Sequence, residues 1–436
     1  MPNDGWATMP FTDAVQVNPS VKLEKGVVYP FVEMAAVDPA SRSVAESEER
    51  AFKSGGAKFL PDDTLMARIT PCLENGKIAR FRPTNKTSRG FGSTEFIVIR
   101  GRADVTDNDF AYYLTKSPDF HQFAVAQMTG SSGRQRVPAE SLAHFEALVP
   151  PVSTQQRIAR VLGSLDDKIE LNRRMNRTLE RMAQALFKSW FIDFDPVRAK
   201  AEGDPTAGGV PNHLAALFPD RLVDSELGEI PEGWEVKSLD EAFDVNPKRK
   251  LTKGTLAPFL EMSNMPTTGP SPAAWRLREM TSGTKFIKGD TLVARITPCL
   301  ENGKTAFVDF LYPGQVGWGS TEYIVLRPKG DIPPVFAYLL ARTELFRTFA
   351  IRQMTGSSGR QRVPPDSLSA LQLALPAIDS PLHKAFGDQV NPYFERISLS
   401  ARQNRKLAGL RDTLLPKLLS GELEVPEAEA AIEEIG

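Results

Sequence analysis

Cysteine is almost missing from this chain: Cys72 and Cys299 are the two in 436 residues. A chain this long with so few cannot be a disulfide-stapled mini-protein, and it reads as a reduced, cytosolic one. The N-terminal MPNDGWATMPF lacks a basic-then-apolar signal pattern, and no run of about 18 apolar residues is present to cross a membrane. Histidine is scarce as well. His121, His144, His213 and His383 have no metal-ligating spacing, which leaves zinc and histidine general-base schemes little material. Low-complexity tracts are absent too. Hydrophobic residues at 41%, charged residues at 25%, 34 prolines and 31 glycines are ordinary globular values, enough for two or three domains with their own cores.

A net charge of -1 hides an uneven distribution. The last sixteen residues hold six Glu and no Lys or Arg, and without them the balance is 53 basic to 48 acidic residues. Residues 154–190 carry eight Lys or Arg against four Asp or Glu. Local concentration of this kind suits a phosphate backbone, although a solvated helix face has the same signature.

What the chain does contain is itself, twice. ARITPCLENGK stands at 67–77 and, unchanged, at 294–304; MTGSSGRQRVP stands at 128–138 and again at 354–364. Weaker echoes keep the order: Gly5-Trp6 with Gly233-Trp234, VNP at 17 and 245, PFVEM with PFLEM, and GSTEFIVIR at 92 with GSTEYIVLR at 319. The offset shrinks only from 228 to 226, far too long for a solenoid period, so a domain of roughly 145 residues is duplicated. Short β-branched runs such as TLMARI, FIVIR and HFEALVP predict strands. DFAYYLTKSPDFHQFAVAQM and PVFAYLLARTELFRTFAIRQM predict helix, so each copy is a mixed α/β domain.

A heptad seam follows each copy. In the first it runs through Ile158, Leu162, Leu165, Ile169, Asn172, Asn176, Leu179, Ala183, Leu186 and Trp190. In the second it runs through Phe386, Val390, Tyr393, Ile397, Ser400, Asn404, Leu407, Arg411, Leu414 and Leu418. Asn404 falls where Asn176 falls, and a lone Asn in such a seam fixes register at some cost in stability, so the two helices are expected to be partners. Residues 196–232, rich in Pro, Gly and Ala, read as a linker with one short helix.

Searches for catalysis fail. Gly303-Lys304-Thr305 resembles the end of a phosphate loop, but Pro298 stands where its first Gly is required and the first copy reads GKI. Pro61-Asp62 with Glu74 and Lys77 has the wrong spacing for a metal-dependent nuclease, and neither a glycine-rich S-adenosylmethionine site nor an NPPY-type tetrapeptide is present. Cys72 and Cys299 occupy the same place in each copy and read as small buried residues. The repeated loops offer hydrogen-bond donors instead. In GSSGRQR, backbone N–H groups and Ser hydroxyls suit phosphates while Arg and Gln suit base edges, and the glycines fit structural turns equally well.

The Gly-Trp start, LENGK, GSTEF, TGSSGRQRVP, PPVSTQQRIARVLGSLDDKIELNRRMN, the phrase SELGEIPEGWEVKSL and the closing LRDTLLPKLLSGELEV resemble the specificity subunit of type I restriction-modification systems over essentially the whole chain. The resemblance implies two similar target recognition domains joined by two long helices in an antiparallel coiled coil, each domain reading half of a bipartite site in double-stranded DNA. It implies no catalytic residue, metal or cofactor in this chain. Two modification subunits would supply S-adenosylmethionine and methylate adenine N6, and two restriction subunits would add ATP- and Mg-dependent translocation and cleavage. Expected boundaries are 1–152 and 233–378 for the recognition domains, 153–195 and 379–421 for the helices, 196–232 for the linker and 422–436 for a solvated acidic tail. A stand-alone nuclease or methyltransferase, or a scaffold that does not bind DNA, remain the alternatives.

The matched positions expected to touch DNA are Lys77, Ser93, Thr94, Arg134, Gln135 and Arg136 in the first copy and Lys304, Ser320, Thr321, Arg360, Gln361 and Arg362 in the second. Because the copies share these readers, the two half-sites are expected to be related. Base choice is expected to differ through residues 35–57 and 263–284, where the copies diverge most.

Overall fold

The computed structural model describes residues 5–85, 89–131, 133–204, 206–357 and 359–433. Ser132 and Ser358 of the repeated loops, and residues 434–436 of the acidic tail, lie outside them. The chain forms two compact units, residues 1–171 with 403–436 and residues 172–402. Both long helices, Val152–Phe191 and Pro381–Ser420, contribute one half to each unit.

In the first unit a five-stranded sheet has the spatial order Val15–Val17, Phe96–Gly101, Thr64–Ala67, Ile78–Phe81, Ser43–Val44. A four-stranded sheet follows the order Glu48–Ala51, Val28–Val32, Gly90–Gly92, Ala57–Phe59. The alternation of FIVIR buries Ile97 and Ile99 against Phe110 and Phe120, while Val98 faces a second cluster with Leu65 and Phe81. The second unit repeats this with Phe243–Val245, Tyr323–Pro328, Thr291–Ala294 and Thr305–Phe307 in one sheet, and Arg276–Glu279, Leu256–Leu260, Val316–Gly319 and Thr284–Ile287 in the other.

The stretch expected to be helical from Asp109 to Met128 is two helices, Asn108–Lys116 and Pro118–Ala126. Pro118 disfavours helical backbone at Ser117, which is extended and accepts a hydrogen bond from the N–H of Phe120 at 3.2 Å. The second copy breaks at Thr343 without a proline, because its hydroxyl caps Phe346 in the same way at 3.1 Å.

Within each unit the two long helices pair antiparallel. In the first, Ile158, Leu162, Leu165 and Ile169 are buried with Leu407, Leu414 and Leu418, and Asn404 donates to the carbonyl of Ile169 at 3.5 Å. In the second, Asn176 donates to the carbonyl of Ile397 at 3.5 Å, so each asparagine meets the carbonyl that matches the other's target. The seam drifts toward Trp190. Leu179 and Leu186 are half-buried while Phe187 and Phe191, absent from the heptad reading, are buried with Phe386 and Val390. A straight helix of 3.6 residues per turn rotates about 20° per heptad away from a 3.5-residue seam.

Residues 196–232 are more ordered than a linker. Helices Asp195–Ala201 and Asn212–Ala215 and the hairpin Leu222–Ser225/Gly228–Pro231 bury Val197, Leu214, Phe218 and Ile230 in the core of the second unit. The acidic tail likewise departs from the solvated expectation. Val425–Glu433 is a helix whose Val425 and Ala428 join the first unit's core, and Arg157 lies 3.7 Å from Glu429. Apolar spacing of three residues, not the net charge, decides that packing. Among the described residues no helix is long and apolar enough to cross a membrane.

Candidate nucleic-acid interface

Three loops meet at one end of each head. In the first, Val137 N–H donates to Arg68 O at 2.9 Å, Arg68 N–H to Glu95 O at 2.9 Å, and Thr70 N–H to Gln135 O at 3.0 Å. ARITPCLENGK, GSTE and TGSSGRQR, spread over residues 67–136 of the sequence, are thereby one surface. The second head repeats the stitching through Val363 to Arg295 at 2.9 Å, Arg295 to Glu322 at 3.0 Å and Thr297 to Gln361 at 3.0 Å. The RQR loop is a tight hairpin in both, closed by the paired bonds of Thr129 with Arg136 and of Thr355 with Arg362. Gly130 and Gly356 have φ of 122° and 116°, a conformation L side chains rarely adopt, so these two glycines are required by the turn itself.

The twelve expected contact residues divide by what holds them. Arg136 forms a forked pair with Glu95, with Nη2 at 2.6 Å and Nε at 2.9 Å from its carboxylate oxygens. That hydrogen bond holds the Glu95 carboxyl below its usual range and raises the Arg136 guanidinium. Arg362 pairs with Glu322 at 2.8 Å. Lys77 donates to the carbonyl of Met34 at 2.9 Å and Lys304 to that of Met262 at 2.7 Å, each tying a 3-10 turn to the ENGK loop. Ser93 and Ser320 accept from the N–H groups of Glu95 and Glu322 within their own turns. Gln135 and Gln361 are half-buried and engaged through their carbonyls.

That leaves Thr94 and Arg134, with Thr321 and Arg360, exposed and without a side-chain partner among the described residues. Sequence reasoning passed over four residues here. Glu95 and Glu322 orient the second arginine of each RQR, and Arg68 and Arg295 each keep a buried Nε without a partner in the same cluster. All four were visible as members of the repeated blocks, ARITPC and GSTE. Each loop cluster gathers four cations against two carboxylates, with Arg68, Lys77, Arg134 and Arg136 beside Glu74 and Glu95 in the first head. The field at that surface favours an anion. Among the described residues no group of three His, Cys, Asp or Glu could hold a metal ion.

Residues 18–181 match the model of the type I restriction modification DNA specificity domain. The chain is 26% identical over 384 residues to the type I restriction enzyme HindI specificity subunit of Haemophilus influenzae, spanning 76% of this chain and 81% of that one. It is 25% identical over 400 residues to the MjaIX specificity subunit of Methanocaldococcus jannaschii, spanning 89% and 84%. Residues 18–181 thus form a type I restriction modification DNA specificity domain, and over most of its length the chain is similar to type I restriction enzyme specificity subunits. A solved specificity subunit from M. genitalium shares its fold, with a TM-score of 0.50 at 14% identity over 95% of this chain and 96% of that one. The family match spans most of the first head with its helix, and the internal repeat carries the same loops into the second.

Proposed function

We propose that this specificity subunit reads a bipartite DNA target, one half-site per head, through the three-loop clusters. The observation that carries the reading is duplication with the same geometry: both heads present an exposed Arg and Thr on a stitched, net-positive surface. Phosphate contacts orient such a surface and base-edge contacts specify sequence. Arg134 and Arg360 are the side chains available for either role. Arg136 and Arg362 act through their fixed orientation against Glu95 and Glu322, and the lysines and serines shape the loops.

The chain is a recognition component and not a catalyst. In this proposal two modification subunits bring S-adenosylmethionine and methylate adenine N6, and two restriction subunits bring ATP- and Mg-dependent cleavage. Because both heads share their readers, the half-sites are related and the target is partly palindromic. Residues 35–57 and 263–284 supply the differences.

Mapping N6-methyladenine by long-read sequencing in the host, with and without this gene, tests the reading. Loss of one bipartite motif on deletion, with two related halves, is the expected result. Two unrelated half-sites would overturn shared reading, and an unchanged methylome in a host expressing all partner subunits would overturn the DNA role.

A further inference from the structure

Where each head rests on its long helix, the two copies solve the same packing problem with different chemistry. In the first head the carbonyl of Arg42 accepts a hydrogen bond from Arg80 N–H at 2.8 Å, which sets Arg42 at the edge of the five-stranded sheet. Its guanidinium then crosses to the helix, donating to Asp109 at 2.8 Å and to Asp167 at 3.1 Å. It lies 5.6 Å from the centroid of the Tyr113 ring, and a Cβ placed on Gly163 would sit 3.0 Å from its Nη1. Arg80, 2% exposed, shares Asp109 and reaches Asp62 at 3.2 Å.

In the second head the matching ladder bond runs from Phe307 N–H to the carbonyl of Pro270 at 2.9 Å, so a proline holds the place of Arg42. Its ring is too short to cross to the helix. By the repeat offsets Phe307 replaces Arg80, Val335 replaces Asp109, Asn391 replaces Gly163 and Glu395 replaces Asp167. The space that Arg42 fills in the first head is here an open cleft of about 580 Å³, bounded by Phe307, Pro334, Val335, Phe394, Glu395 and Leu399. Lys288, Asp309 and Arg402 also border it, and Arg402 is held on the carbonyl of Asp309 at 3.2 Å.

We infer that this cleft receives an arginine side chain from a partner protein, and that this contact forms once per chain. The homologous volume is filled by a guanidinium in the first head. Glu395 keeps a carboxylate at the place of Asp167, exposed and without a partner among the described residues. Phe307 and Phe394, with ring centroids 5.7 Å apart, offer aromatic faces on which a planar guanidinium stacks better than an ammonium. Pro334, Val335 and Leu399 suit the aliphatic stem of the same side chain. The single stoichiometry follows from the chain itself, because Arg42 already occupies the equivalent space in the first head. Ligands of the repeated loops have two places to bind and this one has one. The inference stands on the cleft and is independent of how the loops read DNA.

The first test uses N-acetyl-arginine methylamide as probe, with saturation-transfer NMR on the full-length chain. Transfer to the guanidinium-bearing side chain is expected, with about a tenfold loss of affinity in Glu395→Gln and complete loss in Pro270→Arg, which refills the cleft from within. An unchanged response in Glu395→Gln, or equal binding of N-acetyl-norleucine methylamide, would overturn the arginine assignment. The second test places p-benzoylphenylalanine at Leu399 or at its counterpart Leu171, both exposed, in the complex assembled with its partner subunits. The expected product is one cross-link per complex, from position 399 to an arginine-containing peptide. Matching products from both positions would refute single occupancy.

Discussion

The loop clusters and the head–helix junctions are two parts of one duplicated domain, and they differ in how closely the copies agree. The stitching bonds of the loops match within 0.1 Å between heads, down to the same donors and acceptors. At the junctions hardly a contact is shared. Gln155 of the central helix is fully buried and makes three bonds, accepting from Asp107 N–H at 2.8 Å and donating to the carbonyls of Val105 at 2.8 Å and Pro150 at 2.7 Å. Its counterpart is His383, equally buried between Phe191 and Phe336, where the nearby backbone of Pro376 and Ala377 makes no well-formed hydrogen bond to either ring nitrogen. A junction needs only that its buried groups be satisfied or apolar, and several chemistries do that. A loop surface that must present one donor set in one geometry has fewer solutions, so sequence identity between the copies points to chemistry and divergence points to packing.

The largest test of this contrast is at Arg80. Burial, with Arg42 and Arg82 nearby, lowers its guanidinium to about 10, and the carboxylates of Asp62 and Asp109 compensate. Arg80→Leu takes one of two arginine partners from each, Arg42 staying on Asp109 and Arg82 on Asp62, and should cost about 3 kcal/mol in the first unit through the lost charged hydrogen bonds. Phe307→Arg, the converse in the second head, should cost a comparable amount because Val335 stands where Asp109 does, and adding Val335→Asp should recover much of it. Urea unfolding, fitted as separate transitions for the two units, reads both.

The next contrast is Gln155 against His383. Gln155→Leu strands the N–H of Asp107 and two carbonyls, a loss of about 3 kcal/mol at any pH where the chain folds. Burial depresses His383 to about 4 from its usual 6.5. The fold therefore binds the neutral ring while the unfolded chain takes up a proton below about 6.5. Stability of the second unit should be level above that pH and fall as pH drops toward 4, by up to about 3 kcal/mol. His383→Leu should flatten this profile without loss at pH 7, whereas Gln155→Leu should leave the profile unchanged. Melting temperature followed from pH 7.5 to 4.5 separates the two.

This contrast also explains what could be read in the sequence. The duplication, the strands and the pairing of the two helices follow from repeated blocks and periodicity, which are local and additive along the chain, while the antiparallel sense was implied by the family resemblance. The loop cluster was legible as composition, since ARITPC, GSTE and GSSGRQR stand out by identity. Its division of labour was not, because only the fold brings Glu95 to Arg136 and Met34 to Lys77. The same limit hid the contact of Arg42, which stands in a segment that reads as variable loop, with Asp109 and Asp167, 67 and 125 residues away. The acidic tail misled for a different reason: six glutamates dominate its composition while Val425 and Ala428 decide its packing.

Among the shared loops the expected effects are smaller and concern DNA. Arg134→Ala and Arg360→Ala should each weaken one half-site. A loss of about 1–3 kcal/mol confined to one base pair marks direct readout, and a uniform loss with a salt slope reduced by about one marks a phosphate contact. The same class of effect in both heads is the expected outcome of titrations on variant half-sites, and readout in one with phosphate contact in the other would break the equivalence of the clusters. Glu95→Gln should mimic part of the Arg136→Ala defect, because the guanidinium loses its forked partner while keeping its charge.

Lys77 should show the least. Its ammonium is spent on the carbonyl of Met34, and Lys304 does the same with Met262, at 2.9 and 2.7 Å. A lysine held this way shapes the 3-10 turn beside it and is not available to release a counterion, which contributes about 0.9 to the salt slope for each phosphate neutralised on B-DNA. Lys77→Met, which retains the stem's length, should therefore lower stability by no more than about 1 kcal/mol and leave the salt slope of DNA binding unchanged. A slope reduced by about one would show that DNA draws the ammonium off Met34 and would return Lys77 to the contact surface beside Arg134.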